Sequence, residues 1–262
     1  MDRRLPSGIV TFLFTDIEGS TRLFHRLGDR YVGLLDRHRR IIEDAVDTAG
    51  GVEISVEGDS VFAAFGRADD ALAASRDAQR RLALETWPDG VSVRVRMGIH
   101  SGLASPREGD YVALAVHQAN RVMAAGHGGQ VLVSADTAAL LSTPQEILPL
   151  GRYRLRDFDE PLHLYQLAVE GSDGDFPAIR AIPADGHNLA RPLTATIGRD
   201  DLIAGVAEEL VPGRLVTLIG PGGVGKTRVA VDIGIRIAPE WADGVWRVDL
   251  AEIAEPSLVA SA

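Results

Sequence analysis

Ile9-Val-Thr-Phe-Leu-Phe-Thr-Asp-Ile-Glu-Gly-Ser-Thr-Arg22 joins two kinds of hydrophobic pattern. Its first part, Ile9–Phe14, is a short run of apolar and β-branched residues, which predicts a buried strand. Thr15–Thr21 is a polar turn able to cap a helix. Beyond it Leu23, Leu27, Tyr31, Leu34, His38, Ile41, Ala45 and Ala49 recur in steps of three and four. That spacing predicts one long amphipathic helix, stopped by Gly50-Gly51.

The same reading extends outward along the chain. Val52, Ile54 and Val56 alternate with polar residues, Val61–Phe65 is apolar, and Gly58-Asp59 between them suits a hairpin turn. Ala68–Leu84, rich in Ala and Leu, predicts a second helix. Trp87-Pro88-Asp89-Gly90 is a turn. Val91, Val93, Val95 and Met97 alternate into a strand that ends near His100-Ser101-Gly102, Leu114–Ala125 predicts a third helix, and Val131–Val133 and Leu162–Leu167 predict strands. The order β-α-β-β-α-β, then α-β and a closing strand, implies an α+β fold: a ferredoxin-like split βαβ core with added strands. Residues 170–192 are rich in Gly, Ser, Asp, Pro and Ala without periodicity and read as a linker. Leu215–Ile219 then predicts a strand running into a glycine-rich turn and a helix to about Ile237, with another strand possible at Val245–Leu250. The chain therefore divides into residues 1–169, the linker, and a partial α/β segment over 193–262.

Composition narrows the function classes. Lysines and arginines number 27 against 37 aspartates and glutamates, a net charge of −10, so phosphate-rich polymers and anionic membranes are repelled. Neither direct nucleic-acid binding nor membrane association is expected. The absence of cysteine excludes disulfides and thiolate metal sites. Asp16 and Glu18 interrupt the one apolar stretch near the N-terminus, so no signal peptide or membrane span is read and the default location is cytoplasmic.

Two carboxylates stand out. Asp16 follows the first strand, and Asp59 sits in the tip of a hairpin expected to pair beside it. Together at one sheet end they would repel, and a divalent cation relieves the repulsion while accepting oxygen ligands. Spacing alone also fits Asp16 as a helix cap and Asp59 as a turn residue, both common places for aspartate.

The ordered set of motifs resembles class III adenylyl and guanylyl cyclases over roughly residues 8–168. Phe12–Arg22 is similar to the family's opening metal motif, Glu57-Gly-Asp-Ser-Val-Phe-Ala-Ala-Phe65 to the second, and Arg94-Val-Arg-Met-Gly-Ile-His-Ser-Gly102 to the strand that follows. Asp110–Arg121 resembles the stretch supplying base and triphosphate contacts, and Gly128–Ser134 the strand after it. The resemblance implies that Asp16 and Asp59 hold two Mg2+ or Mn2+ ions, that Asp110 helps recognise the purine, and that Arg121 stabilises charge on the triphosphate. It also implies a head-to-tail homodimer, with the metal aspartates and the base-reading residues on opposite chains. Two positions depart from the pattern. Ser55 replaces the usual purine-contacting lysine, and His117 replaces an asparagine, while Ala113 stands where the motif carries glycine. A hydroxyl cannot make the contact of an ammonium, and imidazole differs in reach from a carboxamide.

Gly220-Pro-Gly-Gly-Val-Gly-Lys-Thr227 follows an apolar run and precedes a helix, the context a phosphate-binding P-loop requires. The glycines let backbone amides curl around phosphates, Lys226 would reach the β- and γ-phosphates of ATP, and Thr227 would bind Mg2+, with Gly220 and Gly225 framing the turn. Ile197-Gly-Arg-Asp-Asp-Leu202 resembles the entry motif of STAND-type signalling ATPases. Asp249 does not look like a Walker B aspartate, so this segment is expected not to hydrolyse ATP by itself. The expected function is a purine nucleotidyl cyclase, weak or divergent, making a 3′,5′-cyclic nucleotide and pyrophosphate from ATP or GTP in intracellular signalling. The alternative is a degenerate cyclase-homology domain that senses nucleotide, or dimerises, to regulate a STAND-type ATPase.

Overall fold

The computed structural model describes residues 5–107, 109–142, 147–158, 160–169, 176–184, 187, 189, 196, 198–241, 244–248 and 250. It separates into two compact units, Met1–Ala181 and Ile182–Ala262.

The first unit is built on β1 (Gly8–Ile17). Its partners are β3 (Ser60–Phe65) on one side and β4 (Val95–Ala104) on the other, both antiparallel. Adding β2 (Val52–Glu57), β7 (Val131–Ser134), β8 (Ile147–Arg154) and β9 (Leu162–Leu167) gives the order β8-β9-β7-β4-β1-β3-β2. Of these pairings, β4 with β7 is parallel. Two short strands, β5 (Pro106–Arg107) and β6 (Asp110–Tyr111), form a separate hairpin.

Both faces of β1 are covered, as an uninterrupted apolar run requires. Leu13 and Ile17 join Val61, Ala63, Phe65, Met97 and Ile99 under α2 (Arg30–Thr48) and α3 (Ala68–Leu84). Val10 and Phe12 face the other way, packing with Phe62, Ala64, Tyr111 and the alanines of α4 (Leu114–Ala125). The helix α4 lies directly on the backbone of β4. A Cβ added at Gly98 would fall 2.1 Å from the Met123 nitrogen, and one at Gly102 would fall 2.7 Å from the Ala115 Cβ.

Several sequence expectations need correction. The predicted long helix is two, α1 (Ser20–Leu27) and α2, because Gly28 takes φ 55° and ψ −130° and turns the chain. The first strand does not end at Phe14 but continues through Asp16, since β4 pairs with it as far as Ile17↔Val95. Likewise β4 begins at Val95 rather than Val91 and extends past His100 to Ala104. The strand β8 was not predicted; its Pro149 and Gly151 lie at a register shift in the ladder with β9, where proline is tolerated. Residues 176–181, inside the expected linker, belong to the first unit, with Ile179 buried against Val122, Leu155 and Leu164. The short α5 (Ala135–Ala138) completes this unit, its start capped by the Ser134 side chain.

In the second unit α6 (Asp200–Glu209) and α7 (Lys226–Ile237) pack through Ile203, Val229, Ile233 and Ile237. The Leu215–Ile219 run has no strand partner among the described residues, so it is not the strand expected. Val216 and Leu218 line a cavity of about 470 Å³ with α7, while Leu215 and Ile219 are each 89% exposed. Val245 forms an isolated parallel bridge to His187. Ile197 and Asp249 lie outside the described residues. Among the described residues no helix is long and apolar enough to cross a membrane.

One core residue is anomalous. His38 on α2 is fully buried, and neither ring nitrogen has a hydrogen-bond partner among the described residues. Burial pushes its pKa from 6.5 down to about 4, against the opposing pull of the Asp59 carboxylate. The unfolded chain therefore takes up this proton first, and folded stability falls as pH drops through 6.5 toward 4. Relative to wild type, His38→Leu is expected to be at least as stable at pH 7.5 and to escape about 2 kcal/mol of acid destabilisation at pH 5. Urea titrations of both proteins at the two pH values measure the difference; parallel pH curves would refute it.

Candidate metal and nucleotide site

The site begins with strand register. Pairing of β1 with β4 sets Asp16 opposite Arg96, and strand alternation puts both on the face that carries Val10, Phe12 and Phe14. Arg96 donates from Nε (2.8 Å) and Nη2 (2.5 Å) to Asp16 Oδ2. Asp59 enters from the β2–β3 hairpin, whose turn is made by Gly58 at φ 60°. Its Oδ2 accepts the Ile17 amide at 3.1 Å, which ties the hairpin tip to the end of β1. From α2, Arg39 braces the same turn by donating to the Gly58 carbonyl at 2.6 Å.

The electrostatics follow from this geometry. Burial is the largest influence on Asp16 and raises its pKa; Arg96 opposes the rise, and the Asp59 carboxylate, within hydrogen-bonding reach, adds to it. Tyr31 of α2 also faces this pair. Its hydroxyl is pushed up by burial, then by the charge of Asp59, against a hydrogen bond with Ser20. Two half-buried carboxylates thus converge, and one already grips a cationic group. That donor set fits a divalent ion, with Arg96 standing where positive charge is wanted. Among the described residues no cluster of three or more acidic or histidine side chains exists, so two carboxylates are what this chain offers, and Mg2+ commonly completes its shell with water and substrate phosphates.

The other expected residues make their recorded contacts elsewhere in the chain. Asp16 bonds Arg96 and Asp59 bonds the Ile17 amide, and among the described residues none of Ser55, Asp110, His117 or Arg121 is seen to bond either carboxylate. Ser55 is exposed on β2, register-paired with Phe62 beside a bulge; Phe62 stacks on Phe14 with centroids 4.4 Å apart. Asp110 is exposed on β6 and accepts the Tyr111 amide at 2.6 Å, while the Tyr111 ring packs edge-on against Phe12. His117 is exposed on α4, and Arg121, one turn later, pairs with Asp157. Beneath them Gln118 hydrogen-bonds His100, whose Nδ1 lies 2.8 Å from Ser134 Oγ.

Sequence reading missed Arg96, Tyr31 and Asp157. Arg96 was legible in principle as the even-numbered partner across two antiparallel strands, but only once the register was known. Tyr31 looked like one more core position of a helix, and Asp157 lies in a loop with no motif.

In the second unit Gly225 takes φ 90° and α7 starts at Lys226. Lys226 Nζ donates to the carbonyls of Gly220 (2.8 Å) and Pro221 (2.9 Å), so the loop curls around its own lysine, and Thr227 is exposed at the helix start.

Placed in chain order, these pieces match a known domain: the model of the adenylate and guanylate cyclase catalytic domain fits residues 4–168. The chain belongs to this family. An uncharacterized protein of Mycobacterium tuberculosis is 31% identical over 206 residues, covering 76% of this chain and 70% of that protein. The adenylate cyclase of Podospora anserina is 30% identical over 159 residues, which are 51% of this chain but 7% of the fungal protein. Among solved structures, a Trypanosoma brucei adenylate cyclase in its monomeric state superposes with a TM-score of 0.60 at 26% identity, covering 68% of this chain and 97% of that one. The cyclase domain therefore accounts for the first unit's mixed sheet and for the strand-and-hairpin setting of Asp16 and Asp59.

If the paired carboxylates of the cyclase domain bind a divalent ion, Mn2+ at tenfold its dissociation constant raises the melting temperature by about 3–6 °C. Asp59→Asn keeps an oxygen for the Ile17 amide, so it is expected to match wild-type stability without metal and to abolish the Mn2+ shift. Differential scanning calorimetry with and without Mn2+ checks both halves, and an undiminished shift in the variant rules out the carboxylate pair.

Proposed function

We propose that the cyclase domain converts ATP or GTP into a 3′,5′-cyclic nucleotide and pyrophosphate, acting as a head-to-tail homodimer in cytoplasmic signalling. The convergence of Asp16 and Asp59 on a face with a guanidinium already bound carries this reading. In the reaction the 3′-oxygen forms a bond to the α-phosphorus, the bond from that phosphorus to the bridging oxygen breaks, and the 3′-hydroxyl proton is released. Mg2+ or Mn2+ at the pair would supply Lewis acidity toward the 3′-hydroxyl and neutralise phosphate charge. Arg121, always charged and presenting a fork of donors, would hold the triphosphate from the opposite chain. Among the described residues Arg121 bonds Asp157 rather than Asp16 or Asp59, an arrangement that supports a composite site. So does the apolar surface at the start of α4, where Leu103, Val112 and Leu114 are 78%, 81% and 66% exposed.

Purine recognition would fall to Asp110 with Ser55, while His117, in place of the family's asparagine, would act with Arg121 in catalysis. Lacking the ammonium and the carboxamide of the family pattern, this half should turn over slowly or with altered base choice. A second reading rests on the second unit. A glycine turn, a lysine curled into it and a helix starting at that lysine support a phosphate loop of the STAND ATPase type. The cyclase domain would then be a nucleotide-sensing or dimerising regulator of that module.

With Mn2+ and ATP or GTP, the purified chain is expected to release cyclic nucleotide and pyrophosphate; Asp16→Ala abolishes product, and Arg121→Ala lowers kcat by about a hundredfold. Combining Ser55→Lys with His117→Asn should raise the rate. Triphosphate binding with no product above the Asp16→Ala background would transfer support to the regulator reading.

A further inference from the structure

Arg121 is already paired within its own chain. Its Nη2 pairs with Oδ2 of Asp157, in the loop between β8 and β9. The same carboxylate has its other oxygen 4.0 Å from the Arg156 Nε, so one anion sits between two guanidinium groups. The loop is not free to place Asp157 elsewhere. Leu155 is buried in a cluster with Val122 and Ala125 of α4, and the Phe158 amide donates to the Leu155 carbonyl at 3.2 Å, closing a tight turn. Within that turn Asp157 takes φ 67°, the left-handed conformation in which glycine is the default. An acidic side chain thus occupies a backbone position that disfavours side chains, and its nearest charged partner among the described residues is the arginine expected to meet phosphate.

We propose that Asp157 is a resident anion at Arg121, filling the place of a polyphosphate's charge and so setting how tightly the cyclase domain accepts its substrate. The inference rests on the proposed role of Arg121. Chemically, the carboxylate neutralises and positions the guanidinium while the site is free of nucleotide. A triphosphate carries several negative charges to the single one of Asp157 and offers the same fork-matching oxygens, so it displaces the carboxylate rather than adding to it. Both partners are substantially solvated, with side-chain exposures of 37% for Arg121 and 57% for Asp157, so the pair is weak enough to yield. The ligand class is an inorganic or nucleoside polyphosphate, and the effect belongs to binding rather than to the chemical step.

The test uses the full chain on a Lys226→Ala background, so that the second unit's loop does not report. Asp157→Asn removes the charge and still tolerates the left-handed backbone; Asp157→Gly removes charge and side chain together. Titration calorimetry with inorganic tripolyphosphate is expected to show both variants binding about two- to fivefold more tightly, the range an exposed ion pair commands. The gain should vanish when Arg121→Ala is added. Where product forms, KM should fall by the same factor with kcat unchanged. Unchanged binding in Asp157→Asn, a gain in Asp157→Gly alone, or a gain that survives Arg121→Ala would each overturn the proposal. Because the calorimetric arm needs no turnover, tighter binding without product would uphold Asp157 while removing the cyclase activity, and product without tighter binding would do the reverse.

Discussion

The cyclase domain depends on β1 being paired on both sides at once. The ladder with β4 forces Asp16 against Arg96, and the ladder with β3 carries the hairpin tip so that Asp59 reaches the Ile17 amide. Neither carboxylate is positioned by its own segment. Bringing two acids together out of full solvent costs free energy, seen in the raised pKa of Asp16, and the guanidinium of Arg96 offsets part of it. The apolar contacts on both faces of β1 supply what holds the strands in that register, because a slip of one residue would turn Leu13 and Ile17 out of their core and Asp16 into it.

Much of this was legible in the sequence. The helices Ala68–Leu84 and Leu114–Ala125 and the strand Leu162–Leu167 have the limits that periodicity predicts, because each pattern is long and uninterrupted. Boundaries failed where one residue's backbone overrode the pattern, as Gly28 does in dividing α1 from α2, or where a partner strand extended a ladder past its apolar run, as at Asp16. The strand β8 was hidden for a third reason: its proline and glycine are accommodated by an irregular register that only the fold supplies. At the site, Asp16 and Asp59 were readable because a motif and a turn named them. Arg96, Tyr31 and Asp157 owe their roles to contacts between segments distant in sequence, and local pattern says nothing about those.

The second unit shows the opposite balance. Its motif is strong in sequence, yet the run that leads into the loop forms no ladder among the described residues, and its alternate apolar side chains stay exposed at Leu215 and Ile219. A strand of this kind gains stability from neighbours on both edges, so the hydrophobic pattern announces an element whose pairing the described residues do not supply.

The bare backbone of β4 under α4 has a consequence for changing what this protein recognises. With no side chain at Gly98 or Gly102, the helix rests on the strand as on a rail, its height and rotation set by main-chain contact rather than by adjustable packing. Residues on the outward side, such as His117, can therefore be exchanged without re-seating the helix that carries them. The outward surface of this helix is thus open to redesign one position at a time, while any attempt to tilt the helix itself would have to dismantle the sheet beneath it.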